Sequence, residues 1–302
     1  MGALDLPSEP EEPDRVRDRS VDRPKTRDLP DPDERGRAYE AMRAHVSAET
    51  RDEPGRSYRD EAPRFLDQAA DLRRRWPTEC QAVPDRPDDR PGSFRSGGGF
   101  YLNPERHAEA VAAIDRVRKA KPGISADMQE VERENGHGGW LEGLEFRRKG
   151  DDRLKEKVAE QQAVEPDKAP TEILRKVPDA IRYTFCLEPG NYTEGYYDVK
   201  ERLESLGYEM YQSKNSWSAA EYKGINTRWI TGEGQRFEVQ FHTAESFHAK
   251  QCVTHDAYER IRNPLTSDEE RRELEAFQCE VSSWIQVPNS AADIPDFKKE
   301  GF

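Results

Sequence analysis

Features that mark whole classes of protein are scarce or missing in this chain. Its 302 residues contain four cysteines and no Cys-x-x-Cys pair, which excludes a zinc ribbon and argues against a dense disulfide framework. No run of about 18 apolar residues is present, so the sequence predicts no membrane-spanning helix. No basic stretch followed by an apolar one marks a signal peptide at the start of the sequence.

The common sequence signatures of nucleotide and hydrolase sites are also missing. The chain has no G-x-x-x-x-G-K-[ST] segment and no G-x-S-x-G segment, which excludes a P-loop and a nucleophile elbow. His242, His248 and His255 do not have the H-E-x-x-H spacing of a zinc protease. Any nucleotide chemistry must therefore use a different arrangement of residues.

Apolar residues are few and acidic residues are in excess. The apolar set makes up 33% of the chain and charged residues 36%, with a formal net charge of −13. An acidic protein binds nucleic acids and anionic membranes poorly through non-specific electrostatics. A local basic cleft is still compatible with this composition.

The apolar residues are unevenly distributed, which predicts two regions. Residues 1–36 hold eleven Asp or Glu, seven Lys or Arg and six Pro, too few apolar groups to offset the entropy of ordering. Residues 37–76 carry weak helical stripes, and residues 77–98 are rich in Pro, Asp and Gly, as linkers are. The sequence predicts a disordered or linker region with weak helices over 1–98 and a folded domain over 99–302.

The second region has the pattern of a mixed α/β (α+β) domain. Predicted helices cover 104–121, a stretch from Ser125 to about 135, 151–162, 196–206, 243–261 and 268–284. Predicted strands cover 140–148, 180–187, 208–211, 222–230 and 236–241, and Gly232-Glu-Gly234 joins the last two as a hairpin. This order predicts one mixed sheet of about five strands flanked by helices.

Three cations follow one another closely in the middle of the chain. Arg147 and Lys149 alternate along a predicted strand and so share a face, and Lys157 lies on the next predicted helix. Three converging cations can hold a polyphosphate. The alternative interpretation is a solvated strand face followed by an ordinary charged helix.

Two carboxylates come from different predicted strands. Asp179 precedes one strand, and Glu238 lies in another, where Glu238, Gln240 and His242 alternate onto one face. Two carboxylates can hold Mg²⁺ together with substrate phosphates. An exposed polar strand face is the alternative.

The segment Tyr222-Lys-Gly-Ile-Asn-Thr227 combines an aromatic, a cation and a glycine. Gly224 inside a predicted strand indicates a bulge or the close approach of another group. Tyr222 is able to stack on a base and Lys223 to meet a phosphate. The alternative is a core tyrosine beside a solvated lysine.

The order of these segments resembles the RelA/SpoT alarmone synthetase domain over roughly residues 100–285. The segments that carry the resemblance are R-R-K at 147–149 with Lys157, D-A-I-R-Y-T at 179–184, Y-K-G-I-N-T at 222–227 and E-V-Q-F-H-T at 238–243. With T-H-D-A-Y-E at 254–259, the likeness is strongest to the toxin-like small synthetases.

The resemblance implies a transferase that moves the β,γ-pyrophosphate of ATP to the 3′-hydroxyl of a nucleotide. It assigns the ATP phosphates to Arg147, Lys149 and Lys157. It assigns Mg²⁺ to Asp179 and Glu238, and places Glu238 nearest the attacking hydroxyl. It assigns the acceptor to Tyr222, Lys223, Asn226, Gln240, His242 and His255.

Several positions depart from the family pattern. Arg153 stands where the family has serine, Lys223 and Asn226 replace arginine and histidine, and His242 replaces arginine. Asp179 lies three residues before the strand arginine rather than the family's five. The acceptor base is therefore left open between adenine and guanine. The 3′ end of a tRNA and a catalytically silent nucleotide-binding module are the alternatives to a free-nucleotide enzyme.

The resemblance also carries implications for partners and compartment. An enzyme that makes an alarmone without a means of destroying it drains ATP, so the sequence predicts a toxin or effector with a neutralising antitoxin or immunity protein. It predicts action in a cytoplasm, either of the producing cell or of a target cell after export. No membrane partner is expected.

Overall fold

The computed structural model describes residues 57–76, 90–96, 99–143, 150–263 and 266–302. The helices are α1 (Tyr58–Arg75), α2 (Pro104–Glu134), α3 (Asp151–Val164), α4 (Pro170–Lys176), α5 (Tyr192–Ser205), α6 (Ala244–His248), α7 (His255–Ile261) and α8 (Asp268–Ser283). The strands are β1 (Phe94–Arg95), β2 (Tyr101–Leu102), β3 (Trp140–Glu142), β4 (Arg182–Cys186), β5 (Glu209–Asn215), β6 (Ile225–Ile230), β7 (Arg236–His242) and β8 (Phe297–Lys298).

The predicted mixed sheet is confirmed, with six strands instead of about five. Its order is β3-β4-β7-β6-β5-β8. Strands β4 and β7 are parallel, and the other neighbouring pairs are antiparallel. The added strand is the short β8 at one edge, whose two residues carry no alternating pattern long enough to predict it. The predicted hairpin of β6 and β7 is present.

One face of the sheet packs on helices and forms the core. Tyr183, Phe185, Val239 and Phe241 are buried on the two central parallel strands. The Tyr192 hydroxyl of α5 donates to the Phe241 carbonyl at 2.9 Å, which fixes that helix against this face. Alternation along the strands directs the intervening polar residues to the opposite face.

Helix α2 is longer than the sequence predicts. The chain runs as one helix from Pro104 to Glu134 with Pro122 inside it, whereas the sequence predicts a stop near Pro122 and a new start at Ser125. A proline removes one helical hydrogen bond and crowds the preceding turn. Buried residues on both sides, Val117 and Ile124 among them, pack into the same core, and this packing offsets the loss.

The predicted helix over 243–261 is divided into three pieces. Helix α6 ends at His248, a π-helical turn covers Ala249–Val253, and α7 begins at His255. The Thr254 backbone N–H donates to the Ala249 carbonyl at 2.8 Å, and the Thr254 hydroxyl donates to the same oxygen at 3.1 Å. Both bonds span five residues, as in a π turn, which hydrophobic spacing does not reveal.

Helix α1 packs on the same core although it lies within residues 1–98. Phe65 is fully buried, and the Tyr58 hydroxyl meets Nδ1 of His248 at 2.8 Å. Arg73 forms an ion pair with Asp256 of α7. One predicted weak helix therefore takes part in tertiary packing, while the division of the chain at residue 98 stays a prediction. Residues 1–56 and 77–89 lie outside the described part.

In the described ranges no helix combines the length and the apolar character that a bilayer crossing requires. Three cysteines lie in the described part: Cys186 and Cys252 are buried and Cys279 is half-buried.

Candidate active site

The polar face of the sheet carries the candidate site. Strands β4 and β7 run parallel with Arg182 beside Glu238 and Thr184 beside Gln240. Because neighbouring positions in register point to the same face, these four side chains form two adjacent polar rows. The sequence predicts the alternation of Glu238 and Gln240, and the pairing with β4 adds Arg182.

Two carboxylates meet at one guanidinium. Arg182 donates through Nε to Oε1 of Glu238 at 2.9 Å and through Nη2 to Oδ2 of Asp179 at 3.1 Å. Asp179 lies in the short 3₁₀ turn that leads into β4. Burial by itself would lower the pKa of Arg182, but the charges of Glu238 and Asp179 outweigh it and raise that pKa. The carboxylates of Asp179 and Glu238, which the sequence predicts to act together, therefore both contact Arg182.

A second set of contacts extends from Glu238 to a lysine. Gln240 donates through Nε2 to the same Oε1 of Glu238 at 2.6 Å, and Lys250 donates through Nζ to Oε1 of Gln240 at 2.5 Å. Lys250 belongs to the π-helical turn. Sequence reasoning does not identify Lys250, because no motif marks it and the turn that orients it was predicted as regular helix.

The pair Asp179 and Glu238 has the chemistry of a magnesium site. Mg²⁺ prefers oxygen ligands and takes one or two carboxylates when substrate phosphates supply the rest. Among the described residues, Oε1 of Glu238 receives both hydrogen bonds and Oε2 receives none. No cluster of three or more His, Cys, Asp and Glu suited to a metal exists in the described part. The donor set fits a magnesium ion held jointly with phosphate, and Arg182 would have to release at least one carboxylate.

Tyr222 is held by a hydrogen-bonded group of side chains. Its hydroxyl donates to Oδ1 of Asn226 at 2.9 Å and meets Nε2 of His242 at 2.9 Å. Nδ1 of His242 meets the Ser246 hydroxyl at 2.9 Å. Both ring nitrogens of His242 thus lie within hydrogen-bond distance of a hydroxyl group. Burial lowers the pKa of His242 well below its ordinary value, so the ring is neutral.

The predicted close approach at Gly224 is confirmed. Its φ is +149°, and a Cβ at this position would lie 2.8 Å from Cε1 of His242 and 2.9 Å from the Phe241 carbonyl oxygen. Only glycine fits there, which allows the loop to lie directly on β7. His242 itself is fully buried and contacts the half-buried Tyr222.

Two residues predicted for the acceptor point elsewhere in this structure. Lys223 donates through Nζ to the carbonyls of Trp217 at 3.0 Å and Ala219 at 2.7 Å, in its own loop. His255 lies at the start of α7, with Nδ1 3.7 Å from Asp256. Among the described residues no hydrogen bond joins either side chain to the carboxylate pair. Their roles in acceptor binding stay predictions.

The predicted phosphate-binding cations are only partly described. Arg147 and Lys149 fall in residues 144–149, outside the described part, and β3 is described to Glu142. Lys157 lies on α3 and pairs with Glu160 at 2.5 Å. Arg153, one turn earlier, reaches Glu259 of α7 at 2.8 Å, which links these two helices.

No protein-family model and no curated protein matches the sequence. Several solved structures are similar at low identity, and three of them are described here. The smu.1046c protein from Streptococcus mutans UA159 has a TM-score of 0.35 and 14% identity, over 57% of this chain and 87% of that one. The Type VI effector Tas1, solved with its immunity protein, has a TM-score of 0.39 and 17% identity, over 62% and 98%.

Small alarmone synthetase 1 from Bacillus subtilis, bound to its product pppGpp, has a TM-score of 0.38 and 12% identity, over 60% of this chain and 93% of that one. These values are too low to assign a function to this chain.

Proposed function

We propose that this chain is a Mg²⁺-dependent nucleotide pyrophosphokinase that transfers pyrophosphate from ATP to the 3′-hydroxyl of an acceptor nucleotide. The observation that carries the proposal is the convergence of Asp179 and Glu238 on Arg182, with contacts of 3.1 and 2.9 Å. The products would be (p)ppApp or (p)ppGpp. The order of the sequence motifs supports the same chemistry.

Transfer of this kind asks for positioning and charge neutralisation rather than covalent help from the protein. The acceptor oxygen bonds to the β-phosphorus of ATP, the bond from that phosphorus to the α,β-bridging oxygen breaks, and AMP leaves. Mg²⁺ held by Asp179 and Glu238 would neutralise charge on the phosphates. Glu238 would accept the proton of the 3′-hydroxyl. Its Oε2 atom is available for this, because both hydrogen bonds from the described residues go to Oε1.

Binding of the acceptor base would use Tyr222. Its ring is half-buried, and its hydroxyl is fixed by Asn226 and His242 at 2.9 Å each. A ring held at its polar end offers a fixed apolar surface, which suits stacking on a base. Stacking is tolerant of base identity, so adenine and guanine acceptors are both compatible. Lys157, with Arg147 and Lys149, would bind the ATP phosphates.

The deciding experiment replaces Glu238 by Gln and follows transfer from γ-labelled ATP to ADP or GDP in the presence of Mg²⁺. Loss of the accepting carboxylate should lower kcat by about 10²–10⁴-fold. The labelled product should form with one AMP per transfer in the wild type, and the acceptor that gives product names the base.

Glu233→Gln is the matched control, because Glu233 is exposed in the β6–β7 turn. It should transfer at the wild-type rate. Transfer by a folded Glu238→Gln variant at near the wild-type rate would overturn the proposal. ATP binding without product in the wild type would favour the silent module instead. An antitoxin or immunity partner stays a prediction that depends on this activity.

A further inference from the structure

Lys250 is a cation without an acidic partner in the described part of the chain. Its ammonium donates to the neutral amide oxygen of Gln240 at 2.5 Å and lies 5.5 Å from the centre of the Phe247 ring. Other cations of the site region pair with carboxylates, as Lys157 does with Glu160 and Arg182 with Glu238. No ion pair of Lys250 exists among the described residues.

This arrangement is energetically costly when nothing is bound. Lys250 is half-buried, and one neutral acceptor compensates only part of the hydration that its ammonium loses. Burial and, to a smaller extent, the positive charge of Arg182 lower the pKa of Lys250 to about 7, against the opposing effects of Glu238 and Cys186. An ammonium has three donor hydrogens, and Gln240 takes one.

The position of Lys250 connects it to the reacting groups. Gln240 contacts Glu238 through Nε2 and Lys250 through Oε1, so the lysine is one side chain away from the carboxylate that we assign to the acceptor hydroxyl. The π-helical turn Ala249–Val253 carries it there. Such turns occur often at functional sites, since they re-aim a side chain at the expense of regular helix.

We propose that Lys250 binds a phosphate group of the nucleotide substrates beside Glu238. A phosphate anion supplies the missing counter-charge and can accept the donors that Gln240 does not use. The proposal rests on the proposed function for the identity of its ligand. Two sources have the same chemistry: the pyrophosphate of ATP and the 5′-phosphates of the acceptor.

The test is calorimetric titration of the full chain with α,β-methylene ATP and, separately, with GDP or ADP, at pH 8 in two buffers of different ionisation enthalpy. An anion bound to Lys250 should restore its proton, so binding should take up close to one proton. The titrant that gives this uptake identifies the source of the phosphate. Lys250→Met should abolish the uptake and weaken binding of that titrant by at least about tenfold.

Two matched variants separate charge from folding. Lys250→Arg keeps the charge and should keep most of the affinity without proton uptake, because a guanidinium is already protonated. Lys176→Met, at an exposed lysine of α4, should match the wild type throughout. Thermal melting of Lys250→Met should show no loss of stability, since the substitution removes a poorly compensated charge.

The results also separate this inference from the proposed function. If Lys250→Met binds all titrants as the wild type does, with the same proton uptake, the inference is wrong, whether or not transfer occurs. If the wild type binds no nucleotide at all, both are wrong. The two proposals can also come apart. If Lys250→Met loses the proton uptake but the wild type shows no pyrophosphate transfer, the phosphate site is supported and the proposed enzyme activity is rejected.

Discussion

Gly224, close to the proposed base-stacking ring of Tyr222, lies directly against strand β7. A Cβ there would lie 2.8 Å from the ring of the buried His242 and 2.9 Å from a backbone oxygen of β7, and neither neighbour is at the end of a flexible chain. Gly224→Ala should therefore destabilise the protein by about 2 kcal/mol, measured by urea unfolding. It should also raise KM for the acceptor more than KM for ATP, because Tyr222 lies two residues away.

Gly232 in the β6–β7 turn provides the control for that substitution. A Cβ at Gly232 has no neighbour within 4 Å. The free energy of unfolding of Gly232→Ala should therefore lie within about 0.5 kcal/mol of the wild-type value. Equal stability of the two variants would show that the loop at Gly224 moves away from β7 without cost, against the packing described here.

At the scale of single residues, the sequence predicts those parts of the site that follow from strand alternation. Glu238 and Gln240 share a face because they are two positions apart, and Gly224 is recognisable as a glycine where a side chain is normal. Arg182 and Lys250 were not assigned, since their proximity depends on strand pairing and on a π turn. Both are non-local features, and a single sequence contains no periodic signal for either.

At the scale of elements, the docking of α1 should make the fold sensitive to acid. The Tyr58 hydroxyl meets His248 at 2.8 Å, and burial lowers the pKa of this histidine to about 3 from an ordinary 6.5. Between these values the unfolded chain binds a proton and the folded chain does not. His248 therefore contributes its full stability above pH 6.5, and the contribution falls as the pH decreases toward 3.

The measurement is urea unfolding of the wild type and of His248→Gln at several pH values between 7 and 4.5. As the pH is lowered, the free energy of unfolding of the wild type should fall faster than that of the variant. The difference is at most about 1.4 kcal/mol per pH unit, the limit for one proton. His137→Gln, in the turn after α2, should follow the wild type. Parallel curves for the wild type and His248→Gln would contradict a neutral buried histidine at this contact.

Helices and strands with a regular apolar pattern were predicted well, and the positions of their ends less well. Helices α3 and α8 and strands β4, β6 and β7 lie where the pattern indicates, and the Gly207 turn after α5 has the positive φ of +85° expected of a C-terminal glycine. The merging of two predicted helices into α2 and the division at the π turn escaped prediction. At Pro122, core packing on both sides of the proline keeps the helix continuous. At Thr254, hydrogen bonds to the Ala249 carbonyl form a π turn in place of regular helix.

At the scale of the whole molecule, charge bears on the choice of acceptor. The net charge of −13 repels a polyanion such as tRNA over most of the surface, whereas a small nucleotide meets only the local field of the site. Among the described residues, the structure adds Arg182 and Lys250 as cations of the site itself. We therefore expect a free nucleotide as the acceptor, with the 3′ end of tRNA as the alternative.

This expectation is tested by supplying ADP, GDP and tRNA at equal concentrations of 3′-hydroxyl, with Mg²⁺ and γ-labelled ATP at about 0.15 M salt. Transfer to one of the free nucleotides should exceed transfer to tRNA by at least about tenfold, since RNA binding would need several phosphate contacts that an acidic surface lacks. Lowering the salt strengthens RNA binding steeply when such contacts exist. Transfer to tRNA that equals transfer to nucleotide, and rises strongly as salt is lowered, would instead reveal a basic path along the chain and make RNA the acceptor.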